Sequence, residues 1–198
     1  MRMSSWPAGI SVSDFWVSLL SLTRPNMMNT PSVSSEETYE SRFFADVMLG
    51  TLARWLRILG YDTSYKNSID DDELVRSCIR EGRIALTRDR RLAKRREFEQ
   101  CLLIQGNTLS EQLTEVLDFT KDSISRELIL SRCLECNAPI ERIQKESVKG
   151  DVPLYVYRTQ DSFSQCLNCG RIYWAGTHRE RILKRLKRLV TGLDLSES

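Results

Sequence analysis

The stretch RFFADVMLGTLARWLRILGYD, residues 42–62, decides how this chain is expected to fold. A short apolar run, residues 43–45, ends in the carboxylate Asp46. Behind it, apolar residues recur at steps of three and four, which predicts an amphipathic helix that ends at Gly60. A strand that ends in Asp and leads into a helix is typical of open α/β sheets, which carry their chemistry at the carboxyl ends of the strands.

The same pattern recurs further along the chain. A second apolar run, in RIALTRD at residues 83–89, also ends in an acid, Asp89. Between the two strands, an acidic run at residues 70–73 begins another predicted helix, which Gly82 ends. Strands that alternate with helices over residues 42–130 predict a parallel sheet covered on both faces, so the expected fold class is α/β.

In a parallel sheet, Asp46 and Asp89 emerge at the same edge, where the acidic run at residues 70–73 can join them. Carboxylates held close together repel each other unless a divalent cation such as Mg²⁺ or Mn²⁺ neutralises them. Such a cation activates water and stabilises charge on a phosphate. The alternative is that each acid caps a helix or faces solvent. The strand-end positions favour a metal site for Asp46 and Asp89.

Other catalytic sets are not visible in the sequence. The single histidine, His178, has no nucleophile in a recognisable elbow, which argues against a serine hydrolase. The phosphate-binding loop of nucleotide hydrolases and the dinucleotide-binding fingerprint are both missing.

Two C-x-x-C pairs predict a tetrahedral zinc site of the structural kind. Asn137 and Gly170 follow the pairs, and both tolerate the left-handed backbone that points amides at thiolates. Apolar residues over 152–157 predict a strand between the pairs. Disulfides or free thiols are the alternative, which a reducing compartment disfavours. The predicted zinc ligands are Cys133, Cys136, Cys166 and Cys169.

Composition places the chain among globular proteins. It has 198 residues, 41% hydrophobic and 28% charged, with a net charge of +2. Residues 1–41 are rich in Ser, Thr, Pro and Asn, which predicts a disordered or adventitious extension. Without a membrane-spanning run or an export signal, the expected compartment is the cytoplasm.

Nucleic-acid binding would have to come from local basic clusters, because the net charge is near zero. Such clusters lie on the first helix, after the strand that ends in Asp89, and on a predicted basic helix at residues 179–190. A solvated helix face is the alternative. The predicted RNA-binding residues are Arg54, Arg57, Arg88, Arg90, Lys184, Arg185, Lys187 and Arg188.

Taken together, several motifs resemble the Mut-seven C-terminal RNase family, over residues 42–189. They are ADVMLGTLARWLRILGYDT, DDEL, ALTRDRRL, SRC-x-x-CN, and C-x-x-CGRIYW followed by GTH. That family is described as a PIN-like nuclease domain with a C-terminal zinc ribbon. The resemblance implies a metal-dependent ribonuclease that acts on RNA, with a structural zinc ion and a catalytic Mg²⁺ or Mn²⁺.

The resemblance also suggests site residues. Asp46, Asp71 and Asp89 match the acidic positions of the family, as catalytic residues and ligands of Mg²⁺ or Mn²⁺, and Asp72 is the fallback for Asp71. Many PIN-like proteins carry a further acid after the third, where this chain has basic residues, Arg90 among them. One catalytic metal ion is therefore expected rather than two.

The expected organisation is an extension (1–41), a PIN-like domain (42–130), a zinc ribbon (131–178), and a basic helix with its tail (179–198). The alternative function is a non-catalytic RNA- or ribosome-binding protein that retains the fold. A weaker one is a toxin-like nuclease controlled by a partner.

Overall fold

The computed structural model describes residues 41–190 of the chain. Apart from Ser41, the predicted extension lies outside the described residues, and so does the tail at residues 191–198. The described residues belong to one compact unit. None of the helices within residues 41–190 has the length and apolar character needed to cross a membrane.

Four parallel strands form the first sheet, which confirms the predicted α/β class. They are β1 (Arg42–Ala45), β2 (Asp62–Tyr65), β3 (Ile84–Thr87) and β4 (Cys101–Leu103). Their order across the sheet is β2-β1-β3-β4. The chain leaves β1 toward one side and returns on its other side as β3. The carboxyl ends of β1 and β3 are therefore the switch point, where open α/β sheets bind their ligands.

Helices cover both faces of this sheet. They are α1 (Gly50–Leu59), α2 (Asp71–Glu81) and α3 (Leu109–Thr120). On one face, Leu52 and Leu56 of α1 pack with Leu113 of α3. On the other face, Leu74 and Val75 of α2 are buried in a second cluster. The two helices predicted to end at Gly60 and Gly82 are confirmed, and a short 3₁₀ turn, Val47–Leu49, precedes α1.

Gly60 ends α1 in the left-handed conformation that the sequence predicted, with φ of 100°. Its N–H donates to the carbonyl of Arg57 at 3.1 Å. A Cβ at this position would lie 2.5 Å from the carbonyl oxygen of Leu128. Only glycine therefore fits both the backbone conformation and the close packing.

A smaller antiparallel sheet follows, with strands β5 (Ile140–Ile143), β6 (Phe163–Cys166) and β7 (Ile172–Trp174) in that order. The strand predicted over residues 152–157 is wrong, because residues Leu154–Thr159 form a helix, α4. Val156 and Tyr157 of this helix pack against the small core that contains Val152. The apolar residues do pack against a core, but they do so from a helix and not from a strand.

The last element is α5 (Thr177–Leu189), the predicted basic helix. Its Leu186 is fully buried in the same core as α1 and α3, and Leu134 also joins that core. One hydrophobic core therefore crosses the predicted boundaries near residues 130 and 178, which remain predictions.

Candidate active site and metal centre

Asp46 is the first residue after β1 and lies at the switch point of the sheet. Its side chain is only 6% exposed. One carboxylate oxygen, Oδ1, accepts a hydrogen bond from the N–H of Val47 at 2.6 Å, and Oδ2 accepts one from the hydroxyl of Thr87 at 2.7 Å. With a bond on each oxygen, the direction of this buried carboxylate is fixed.

Thr87, the last residue of β3, connects the two strand-end acids. It is fully buried, and while its Oγ1 donates to Asp46 it accepts the N–H of Asp89 at 3.0 Å. A single hydroxyl therefore holds the side chain of one acid and the backbone of the other. Sequence analysis passed over Thr87. The available signal was a hydroxyl in the last position of an apolar strand, two residues before an acid.

Asp89 is exposed and has one hydrogen-bonded oxygen. Its Oδ1 accepts from the N–H of Arg91 at 2.6 Å and from that of Leu92 at 3.2 Å, at the start of a short 3₁₀ turn, Leu92–Lys94. From the described residues, no hydrogen bond reaches its Oδ2. Asp89 can therefore hold this turn through Oδ1 and still bind a ligand through Oδ2.

Asp71 and Asp72 are exposed in the first turn of α2. Asp72 forms an ion pair with Arg95 at 2.5 Å, and this bond lowers the pKa of the Asp72 carboxyl from its ordinary value. The structure does not gather Asp46, Asp71 and Asp89 into one group of three ligands, as the described residues hold a single such group, made of cysteines. The carboxylate ligand set stays a prediction.

The four predicted cysteines converge. Their Sγ atoms all lie within 4.8 Å of one another, with Cys133 and Cys169 at 3.6 Å and Cys136 and Cys166 at 3.3 Å. A tetrahedral zinc ion with bonds of about 2.3 Å to sulfur needs separations of about 3.8 Å. The donor set and its spacing therefore fit a zinc ion, which these cysteines can hold.

Two tight turns shape this centre, which we call the first knuckle (residues 133–137) and the second knuckle (residues 166–170). Asn137 and Gly170 have φ of 69° and 70°, as predicted for the residue after each pair. In the first knuckle, the N–H of Cys136 points at the sulfur of Cys133 at 3.5 Å, and the second knuckle repeats this contact at 3.4 Å. The predicted amide-to-sulfur geometry is confirmed.

Tyr173 of β7 contacts the centre directly. Its hydroxyl lies 3.1 Å from the sulfur of Cys133 and accepts the N–H of Leu134 at 3.3 Å. Burial opposes ionisation of Cys133, but hydrogen bonds from the N–H of Cys136 and from Tyr173 outweigh it, and the pKa of the thiol falls to about 6. At Cys133 the surroundings thus favour the thiolate, the form that binds metal. Tyr173 therefore supports the metal centre.

Arg57 corrects an expectation, because it was predicted to contact RNA. Its side chain is 5% exposed, and its guanidinium donates to the carbonyl of Thr63 at 2.9 Å. Two further bonds reach the carbonyls of Leu134 and Glu135, at 2.9 and 3.0 Å. These bonds occupy the guanidinium inside the protein, so it is not available to a phosphate.

The other predicted RNA-binding residues are exposed. Arg54 is paired with Glu135 at 3.7 Å, and Arg88 donates to the side chain of Asn107 at 2.9 Å. On α5, the guanidinium of Arg185 lies over the ring of Trp55, 5.2 Å from its centroid. The residues of this set that face solvent are Arg54, Arg88, Arg90, Lys184, Arg185, Lys187 and Arg188.

These features define a class: an α/β protein with linked acids at the switch point of a parallel sheet and a four-cysteine centre that can hold zinc. A family profile described as "Mut7-C RNAse domain" matches residues 41–186. The match covers most of the chain, and the protein therefore belongs to this family, to which the sequence motifs had pointed. Comparisons with curated proteins and with solved structures give no match.

Proposed function

We propose that this protein is a metal-dependent ribonuclease that hydrolyses phosphodiester bonds inside RNA chains. The observation that carries this proposal is the pair Asp46 and Asp89 at the switch point, joined by Thr87 in a chain of an RNAse family. The parallel sheet flanked by helices supports a PIN-like assignment for residues 42–130.

In this proposal Asp46 and Asp89 hold one Mg²⁺ or Mn²⁺, with Asp71 as third ligand and Asp72 as its fallback. Carboxylate oxygens suit both ions. A cation bound there would supply a water of lowered pKa and positive charge near the phosphate. Asp46, fixed by two hydrogen bonds, would orient the site, and Thr87 would keep the two strand ends together.

The cysteine centre has a structural role in this proposal, since four thiolates leave no open coordination position. Residues 131–178 would form a zinc ribbon, followed by the basic helix and tail at 179–198. A reducing compartment such as the cytoplasm would keep these cysteines available to the metal.

Cleavage of RNA that depends on Mn²⁺ is the first expected result. Wild-type protein should cut single-stranded or structured RNA internally with Mn²⁺, and excess EDTA should stop the reaction. Asp89→Asn should reduce the rate by about 100-fold, because it removes a ligand charge worth several kcal/mol. Measurement by gel electrophoresis of labelled RNA would show both. Tight, salt-sensitive binding without cleavage would instead support the non-catalytic RNA-binding alternative.

We expect the exposed lysines of α5 to contact RNA phosphates. For single strands, each lost contact lowers the slope of log affinity against log salt by about 0.7. Lys184→Ala with Lys187→Ala should therefore lower the slope by about 1.4. Fluorescence anisotropy with a labelled oligonucleotide at several salt concentrations would measure it. Lys149→Ala, at an exposed position outside α5, is the control, and an equal slope in all three proteins would remove α5 from the interface.

A further inference from the structure

The first knuckle docks on the outer edge of the parallel sheet. Strand β2 is the edge strand, and the main-chain groups of its Thr63 both point away from β1. The N–H of Thr63 donates to the side-chain oxygen of Asn137 at 2.9 Å, and its carbonyl accepts from Arg57 at 2.9 Å. The amide of Asn137 also donates to Asp62 at 2.7 Å. The side chain of Asn137 thus makes a hydrogen bond that a further strand would otherwise make with β2.

Arg57 joins three elements at this edge. Its guanidinium, carried by α1, bonds to β2 at Thr63 and to the first knuckle at Leu134 and Glu135. Burial lowers the pKa of this guanidinium, although the negative charge of Cys133 and Cys136 as thiolates acts in the opposite direction. A buried cation is costly unless its donors are satisfied, so the knuckle carbonyls are needed where they are.

At its other end, β2 reaches the turn that holds Asp46. The hydroxyl of Tyr65, the last residue of β2, donates to the carbonyl of Val47 at 3.1 Å. Gly50 allows this approach, because a Cβ there would lie 2.6 Å from the Tyr65 oxygen. Val47 is also the residue whose N–H donates to the Asp46 carboxylate. Tyr65 therefore braces the turn that fixes Asp46.

We propose that the cysteine centre and the acidic site are coupled through β2, with Asn137 and Arg57 at one end and Tyr65 as the positioning residue for Asp46 at the other. The coupling rests on the proposed ribonuclease activity only in that Asp46 is taken as a catalytic residue. A knuckle acquires its fold when its thiolates bind metal. Metal binding therefore orders the Asn137 side chain and the two carbonyls that hold Arg57, and through them β2 and the Asp46 turn.

The test uses a variant that cuts the coupling without removing a metal ligand. Asn137→Gly keeps the positive φ that the turn requires and deletes the side chain that bonds Thr63. Zinc content should stay at the wild-type value, and the amide hydrogen of Thr63 should exchange about tenfold faster. The kcat for RNA cleavage should fall about fivefold, because Asp46 is held less firmly. The KM should not change, because the contacts with RNA are kept. Asn67→Gly, in the exposed loop after β2, is the matched control.

Tyr65→Phe separates the two ends of the coupling. It should lower kcat about fivefold with zinc content and Thr63 exchange unchanged, since only the bond to Val47 is lost. Partial chelation of zinc should speed exchange at Thr63 in the wild type and have no further effect in the Asn137 variant. If neither zinc chelation nor Asn137→Gly changes the exchange rate of the Thr63 amide, the proposed coupling is wrong. Amide exchange can be measured without catalysis. A protein that does not cleave RNA, but whose Thr63 exchange responds to zinc chelation and to Asn137→Gly, would contradict the ribonuclease activity and support the coupling.

Discussion

Replacing Asp46 with Asn is expected to slow RNA cleavage strongly while the protein stays folded. Asparagine has the same shape and keeps an oxygen for the N–H of Val47, and its amide can donate to the hydroxyl oxygen of Thr87. What disappears is a negative charge in a site that is 6% exposed. Because a bound cation stabilises the transition state by several kcal/mol, we expect cleavage to slow by about 100- to 1,000-fold. Single-turnover cleavage with Mn²⁺ measures the loss, and thermal unfolding checks the fold.

Asp118→Asn is the matched control for this experiment, since Asp118 is an exposed acid on α3. It carries the same change of charge and should keep wild-type activity. Wild-type cleavage by the Asp46 variant, in protein that unfolds at the normal temperature, would show that the strand-end acid only caps the turn at Val47.

Loss of the cysteine centre is expected to unfold more than the knuckles. The core under the small sheet contains three buried residues, Val148, Val152 and Phe163. So small a core needs a covalent or metal crosslink, and structural zinc contributes about 10–16 kcal/mol in zinc-finger peptides. Cys133→Ser should therefore lose its zinc, about one ion per chain in the wild type, and should unfold at lower denaturant concentration. Atomic absorption and urea titration measure the two effects.

Cys101→Ser is the control for the zinc experiment, because Cys101 is a half-buried thiol of β4 outside the cysteine centre. It should retain the metal of the wild type. Full zinc occupancy after Cys133→Ser, or an unchanged urea midpoint after zinc loss, would contradict the structural role of the centre.

Local patterns in the sequence were enough to predict the α/β part. Apolar runs located β1 and β3, the two central strands of the parallel sheet, and Gly60 and Gly82 marked helix ends correctly. The spacing of the cysteines predicted their convergence, because two C-x-x-C turns have few other uses. These features depend on neighbours in the chain, which a sequence displays directly.

Contacts between distant segments were not predictable in the same way. Arg57 lies among residues that read as an amphipathic helix, and nothing nearby reveals that Leu134 and Glu135 supply its acceptors. The hydroxyl of Tyr173 meets Cys133 from 40 residues away. Thr87 was missed because its partner, Asp46, follows a different strand. In each case a polar group is satisfied by a partner that only the tertiary fold brings near.

The bond between Thr63 and Asn137 has a consequence for any attempt to prepare the α/β part alone. A chain that stops at residue 130 would keep all four parallel strands but would lose the side chain that occupies the open side of β2. Exposed strand edges recruit other strands. Such a shortened protein should therefore associate with its own copies through the edge of β2. Aggregation would then prevent an assay of its activity. In the full chain, the first knuckle covers this part of the edge of β2.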